Sequence, residues 1–189
     1  MNNHKLDVVY HVVTEKPMFV GQKIIFDDNH HSGVYQRVYD KINIVNDIYE
    51  NPDNYQLPLE HHVSVALREL ALEEVRKEKY PNYPSRMSCL YVSSTFEQAV
   101  SWADYFISIG RPIFQIVKLK VEGNYFIGDA NNCFEGKLKK EENIMLANKY
   151  WEGKPDKKDS VYEMIVDGNI TVLEILKEYS NSKAVEENE

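Results

Sequence analysis

Apolar residues along this 189-residue chain change their spacing in an order that leaves few folds open. The spacing is dense and β-branched at Val8, Val9, Val12 and Val13, helical through the middle, and strand-like again from Ile113 onward. Segments with a strand's two-residue period come as isolated pieces or pairs, without regular alternation of strand and helix. That order favours an α+β fold with a mixed or antiparallel sheet; a doubly wound parallel sheet needs a crossover helix after each strand. A G-x-G-x-x-G turn is also missing, which argues against a Rossmann-type dinucleotide site.

The same patterns place the elements. A buried strand is expected over 7–13 and a second over 18–26, weakened or bulged by Gly21. Val34, Val38, Ile42, Val45 and Ile48 recur at helical intervals, and Pro52 closes that helix. A stronger helix over 59–79 carries Val63, Leu67, Leu70 and Val75, with Pro58 at its start and Pro81 beyond its end. A short strand over 88–93 leads into a helix opened by the capping box Ser94-Thr95-Phe96-Glu97 and stopped at Gly110. Residues 113–121 make the cleanest strand. A polar, mobile stretch holding a short helix over 141–150 follows, and then segments 161–166 and 170–175, joined at Asp167-Gly168 as a type I′ hairpin. One domain over 1–178 and a disordered tail over 179–189 complete the expectation.

Charge and composition exclude some functions. A formal net charge of −8 opposes nonspecific nucleic-acid binding, which needs clustered Lys and Arg. Thirteen tyrosines offer polar-tipped aromatic surface for a ligand. The two cysteines, Cys89 and Cys133, make no disulfide framework and read as inert thiols. No leader-like segment and no membrane-length apolar run is seen, so the cytoplasm is the expected compartment, without membrane association. His30-His31 and His61-His62 read as surface histidines and not as a metal site, because adjacent side chains diverge and no i+4 partner follows. The run through Glu69, Glu73, Glu74, Arg76 and Glu78 reads as a solvated helix face, where the Glu73–Lys77 pair offsets Glu69–Glu73 repulsion.

Three polar residues sit where strand alternation calls for apolar ones. His11 shares a face with Val9 and Val13, Glu163 with Val161 and Ile165, and Tyr91 lies between Cys89 and Ser93. Structural roles account for His11 and Tyr91 taken singly; a carboxylate between two β-branched residues needs a partner or a wet cleft. Arg86, ahead of the Tyr91 strand, is the anion-contact candidate, with a salt bridge to an acidic neighbour as its alternative.

In chain order the sequence reads Val9-Tyr10-His11-Val12-Val13-Thr14, then Leu90-Tyr91-Val92-Ser93-Ser94-Thr95, then Tyr162-Glu163-Met164-Ile165-Val166. This resembles the His–Tyr–Glu arrangement of the diphtheria-toxin and poly-ADP-ribose-polymerase branch of ADP-ribosyltransferases. There a second aromatic follows the Tyr by eleven positions, where Trp102 stands here. The chain is also similar to rifampin ADP-ribosyltransferases through Ala99-Val100-Ser101-Trp102 and through Val121-Glu122-Gly123 followed by Asp129. Residues 84–93, opening Pro84-Ser85-Arg86, are similar to the hallmark of an uncharacterised bacterial domain-of-unknown-function family. The resemblance covers the first strand and about 84–175, leaving 34–80 as a helical insertion.

The resemblance implies a split mixed or antiparallel sheet binding NAD as substrate and transferring ADP-ribose to an unknown acceptor. Glu163 would stabilise the oxocarbenium-like ribose, His11 would bond the adenosine ribose, and Tyr91 would stack on nicotinamide. Trp102 would close the pocket wall, while Thr14, Ser93, Arg86 and Asp129 would complete the cofactor contacts. In the rifampin enzymes the acid comes from the region matching Asp129, so Asp129 and Glu163 compete for the role. A non-catalytic module binding a nucleotide or metabolite, and an interaction protein using the helical segment, are the alternative functions. The first two require His11, Tyr91 and Glu163 to line one cleft.

Overall fold

The computed structural model describes residues 8–153 and 158–180. In chain order the elements are β1 (Val9–Val13), β2 (Lys23–Phe26), α1 (Gly33–Tyr39), α2 (Ile42–Glu50), α3 (His61–Lys79), β3 (Leu90–Val92) and α4 (Phe96–Ser108). They continue with β4 (Gln115–Glu122), β5 (Tyr125–Asp129), α5 (Lys140–Glu152), β6 (Tyr162–Val166) and β7 (Gly168–Glu178). The class is mixed α+β with two antiparallel sheets, as the order of periodicities implies. The chain divides into two compact units, one drawn from Met1–Ile25, Tyr91–Gly123 and Gly168–Glu189, the other from Phe26–Leu90 and Asn124–Asp167.

The first unit is built on a sheet of order β1-β4-β7-β2. Val9 pairs with Leu119 and Val13 with Gln115, while β4 and β7 pair with two register shifts, at Ile116/Val117 and Lys118/Leu119. Val9, Ile116, Val117 and Leu119 are fully buried, each worth about 1.5–3 kcal/mol against exposure. One side is covered by α4, whose Ala99 and Ala103 meet Val12, Ile113 and Ile116. Small residues on that stripe let the helix approach closely. Thr95 caps α4 by accepting from Gln98 N at 3.2 Å, one position later than the expected Ser94, whose own N–H is taken by Gln98 Oε1. Gly110 ends the helix at φ 75°, as expected.

The strand expected over 18–26 shrinks to Lys23–Phe26. Gly21, at φ 86°, turns the chain instead of bulging a strand, and its N–H bonds Val172 O at 2.8 Å. Asp7, the start of the first expected strand, and 181–189 of the expected tail lie outside the described residues.

In the second unit the helix expected from Val34 to Ile48 is two helices, broken at Asp40 and Lys41. The long helix α3 starts at Glu60, whose carboxylate accepts from His62 N and Val63 N; Arg76, Lys77 and Lys79 suit its C-terminal dipole. Ala71, Leu72 and Val75 pack with Ala147, Tyr150 and Trp151 of α5 and with Phe126 and Ile165 of the sheet. That sheet pairs β5 with β6 antiparallel, Phe126 opposite Ile165, and Leu90 brings in β3 as its third strand, in the order β3-β6-β5.

Two expectations fail in this unit and a third holds in part. The stretch taken as polar and mobile contains β5. The supposed hairpin across Asp167-Gly168 does not form, because β6 pairs with β5 whereas β7 pairs with β4. The acidic run on α3 is a solvated face only in part: Glu74, Lys77 and Glu78 are exposed and the expected Glu73–Lys77 pair forms at 3.6 Å, but Glu69 and Arg76 are buried and Glu73 also binds Arg76 at 2.8 Å.

Candidate functional site

In the first unit, β1 and the segment after β3 are joined by reciprocal bonds, Tyr10 N to Ser93 O at 2.9 Å and Ser93 N to Tyr10 O at 2.7 Å. This bridge sets His11 beside Tyr91. His11 Nδ1 donates to Tyr91 O at 2.8 Å, since a carbonyl can only accept. In the neutral ring Nε2 is then the unprotonated nitrogen, an acceptor with no protein donor among the described residues. The His11 pKa is lowered to about 4, chiefly by desolvation with a smaller push from Arg111, against the opposing Tyr91 bond and Glu15 charge. The ring is therefore neutral at physiological pH. The Tyr91 ring is exposed, and Ser93 is buried behind the bridge.

The remaining residues proposed for this region follow from α4 and from the end of β1. Trp102 is half-buried and meets Tyr105 and Phe106 at centroid distances of 5.8 Å. Thr14 Oγ1 accepts from Arg111 Nη2 at 3.0 Å. The structure thus gathers His11, Tyr91, Ser93 and Thr14 within one unit, Trp102 lying on the helix that packs against β1.

Glu163, Arg86 and Asp129 belong to the second unit. Arg86 is buried and bridges two carboxylates. Its Nε donates to Glu69 Oε2 at 3.0 Å, and its Nη1 donates to Glu163 Oε1 and, at 2.5 Å, to the Tyr150 hydroxyl. Tyr150 OH in turn donates to the same Glu163 oxygen at 2.5 Å. Glu163 Oε1 is thereby held by two donors, while Oε2 accepts nothing from the described residues. Arg68 Nε closes the other end of the network on Glu69 Oε1 at 2.9 Å.

The electrostatics follow from burial. Desolvation, the largest influence on Glu69, pushes its carboxyl upward, but Arg86 and Arg68 overturn this and leave it below the ordinary carboxyl range. Burial and the Glu163 charge push the Tyr150 phenol well above its usual range, so it remains a donor. Burial likewise raises the Cys89 and Cys133 thiols, and both cysteines are free.

Asp129 is engaged differently. Oδ1 accepts from Asn131 N at 3.0 Å and Val161 N at 3.1 Å, and Oδ2 accepts from the Ser160 hydroxyl at 2.9 Å. Both oxygens close the turn after β5. Of the histidine pairs, His31 Nδ1 lies 2.6 Å from Ser88 Oγ and its ring stacks on Tyr35 at 3.7 Å.

Neither Tyr150 nor Glu69 was singled out from the sequence as a site residue. Glu69 did carry a signal: it stands three positions after Ala66 and three before Leu72, on the buried side of α3. Tyr150 showed none, because an aromatic at helical spacing reads as core.

These features define an α+β protein with a neutral, carbonyl-anchored histidine in one unit and a two-carboxylate, one-arginine network in the other. The chain belongs to the family described as a protein of unknown function, DUF2441, which it matches over residues 9–178. No curated protein matches it. No helix among the described residues is long and apolar enough to cross a membrane.

Proposed function

We propose that this chain binds NAD and transfers its ADP-ribose group to an acceptor. The observation that carries the proposal is the His11 ring, fixed by Tyr91 O in the tautomer that presents Nε2 as an acceptor beside an exposed tyrosine. A ribose hydroxyl is the matching donor, and a tyrosine face suits a planar base or nicotinamide. In the reaction the C1′–N bond breaks and its electron pair leaves with nicotinamide. A nucleophile then bonds to C1′ and gives up its proton. The ADP-ribosyltransferase resemblance gives the stabilisation of the cationic sugar to Glu163, whose Oε1 is held by two donors while Oε2 accepts nothing from the described residues.

The full chain incubated with NAD is expected to release nicotinamide, and Glu163→Gln to slow release by about a hundredfold or more. His11→Ala is expected to weaken NAD binding. Release unchanged in Glu163→Gln removes that carboxylate from the mechanism; an absence of NAD binding removes the function. The Arg86–Glu163 ion pair favours a second function, a nucleotide-binding module without catalysis, because a guanidinium offsets the charge that the cationic sugar needs. Binding of NAD without nicotinamide release is the outcome that selects it.

A further inference from the structure

Arg111 in the first unit plays no part in the chemistry above, yet its position is over-determined. The chain leaves α4 through a Schellman closure, with Gly110 N bonded to Ile107 O and Arg111 N to Phe106 O, both at 2.9 Å. The backbone of Arg111 is thereby fixed. Its guanidinium carbon lies 4.8 Å from the Phe106 ring centroid, and Nη2 donates to Thr14 Oγ1 at 3.0 Å. One face of the planar group rests on an aromatic platform and one edge is pinned by a hydroxyl.

The arginine ion pairs among the described residues are made by Arg68, Arg76 and Arg86. Arg111 makes none, although acidic residues outnumber basic ones 30 to 22. It is exposed, and Thr14 engages only one of the five guanidinium N–H groups. Ordering a long side chain costs entropy, and a guanidinium held in advance loses less when it takes a ligand. Thr14, which holds the Arg111 guanidinium, follows His11 by three residues at the end of β1, and the Arg111 charge lowers the His11 pKa while Glu15 opposes it. Planar, forked donors with no carboxylate partner match the oxygens of phosphate.

We propose that Arg111, steadied by Phe106 and Thr14, is an anion site for the phosphate groups of a nucleotide. Its assignment to the diphosphate of NAD rests on the function proposed above; its affinity for diphosphate does not. The test is calorimetric titration of the full chain, at low ionic strength, with ADP-ribose, adenosine and inorganic diphosphate. ADP-ribose is expected to bind about ten- to a hundredfold more tightly than adenosine, the worth of a charge-assisted bond. Arg111→Met, which keeps an apolar stem over Phe106, is expected to reduce that preference to within about twofold. Thr14→Val, which frees the guanidinium edge, is expected to reduce it partly.

A preference for ADP-ribose that survives Arg111→Met overturns the proposal. If ADP-ribose does not bind, the assignment to NAD fails separately: diphosphate binding that Arg111→Met abolishes still carries the anion site, and diphosphate binding that is absent or independent of Arg111 sinks it.

Discussion

Arg86→Met is the substitution that most directly probes the second unit. The side chain is 7% exposed and is the cation shared by Glu69 and Glu163. Methionine fills most of its volume but removes the cation that two buried carboxylates share. Glu69 keeps Arg68 and Glu163 keeps Tyr150, so neither becomes fully unpaired. Removing one partner of a buried pair costs about 3–5 kcal/mol. With a urea dependence of about 1–3 kcal/mol per molar, the midpoint is expected to fall by about 2 M.

Fluorescence can isolate this event, because the chain has two tryptophans and each unit holds one, Trp102 in the first and buried Trp151 in the second. In a Trp102→Phe background the Trp151 emission reports the second unit. The pH dependence adds a sign. In the parent protein the depressed Glu69 carboxyl contributes stability above its unfolded pKa, and that contribution disappears as pH falls through the lower folded value. In Arg86→Met the Glu69 carboxyl loses the foremost charge that holds it low and is protonated more readily, so acid relieves its burial. The deficit is therefore largest at pH 7 and shrinks towards pH 4. A loss under about 1 kcal/mol at pH 7, or one that is equal at both pH values, refutes the account of Arg86 as the cation that neutralises this network.

Two further perturbations test the first unit. His11 takes its proton at about pH 4 when folded and at about 6.5 when unfolded, so unfolding is favoured as pH falls between those values. With allowance for the ring's partial exposure, the loss is about 1–2 kcal/mol by pH 4, and His11→Gln is expected to flatten that limb of a urea-midpoint profile read at Trp102. An unchanged limb would mean that the ring is not held neutral. Gly110 and Gly168 both have positive φ, but an added Cβ meets nothing within 4 Å at Gly110, whereas at Gly168 it collides with Glu122 O and lies 2.7 Å from Gly123 Cα. Gly110→Ala is expected to cost about 1 kcal/mol and Gly168→Ala at least about twice that, measured by thermal unfolding; equal costs would contradict the crowding at Gly168.

What the sequence revealed depends on how far each signal reaches. Repeated period carried α3 and β4, and a capping box and a stop glycine bounded α4, because all of these act within a few residues. Strand β5 has only Tyr125, Phe126 and Ile127 before Gly128, too short a run for alternation to stand out. Asp167-Gly168 does change the chain's direction, but which strands pair is decided by distant partners: Phe126 for Ile165 and Val121 for Ile170. The neighbouring positions of His11 and Tyr91 could be anticipated from strand motifs. The Glu69–Arg86–Glu163–Tyr150 network could not, because it joins residues from two helices, a loop and a strand, up to 94 positions apart in sequence (Glu69 to Glu163).

The network also bears on which acid can serve a ligand. A carboxylate accepts from a ligand at no structural cost only if one oxygen has lone pairs that the protein has not already engaged. Asp129 has donors on both oxygens, two of them backbone N–H groups that close a turn, so a ligand there must share or displace them. Glu163 has both donors on Oε1 and none from the described residues on Oε2. Glu163→Gln is then the informative change, because the amide oxygen can still accept from Tyr150 and Arg86 while the charge is lost. Tyr150→Phe is its complement, since it keeps the charge and removes one of the two anchors. A function that depends on the Glu163 charge fails in the first variant and only weakens in the second; a purely structural network shows losses of stability in both and no difference in ligand affinity between them.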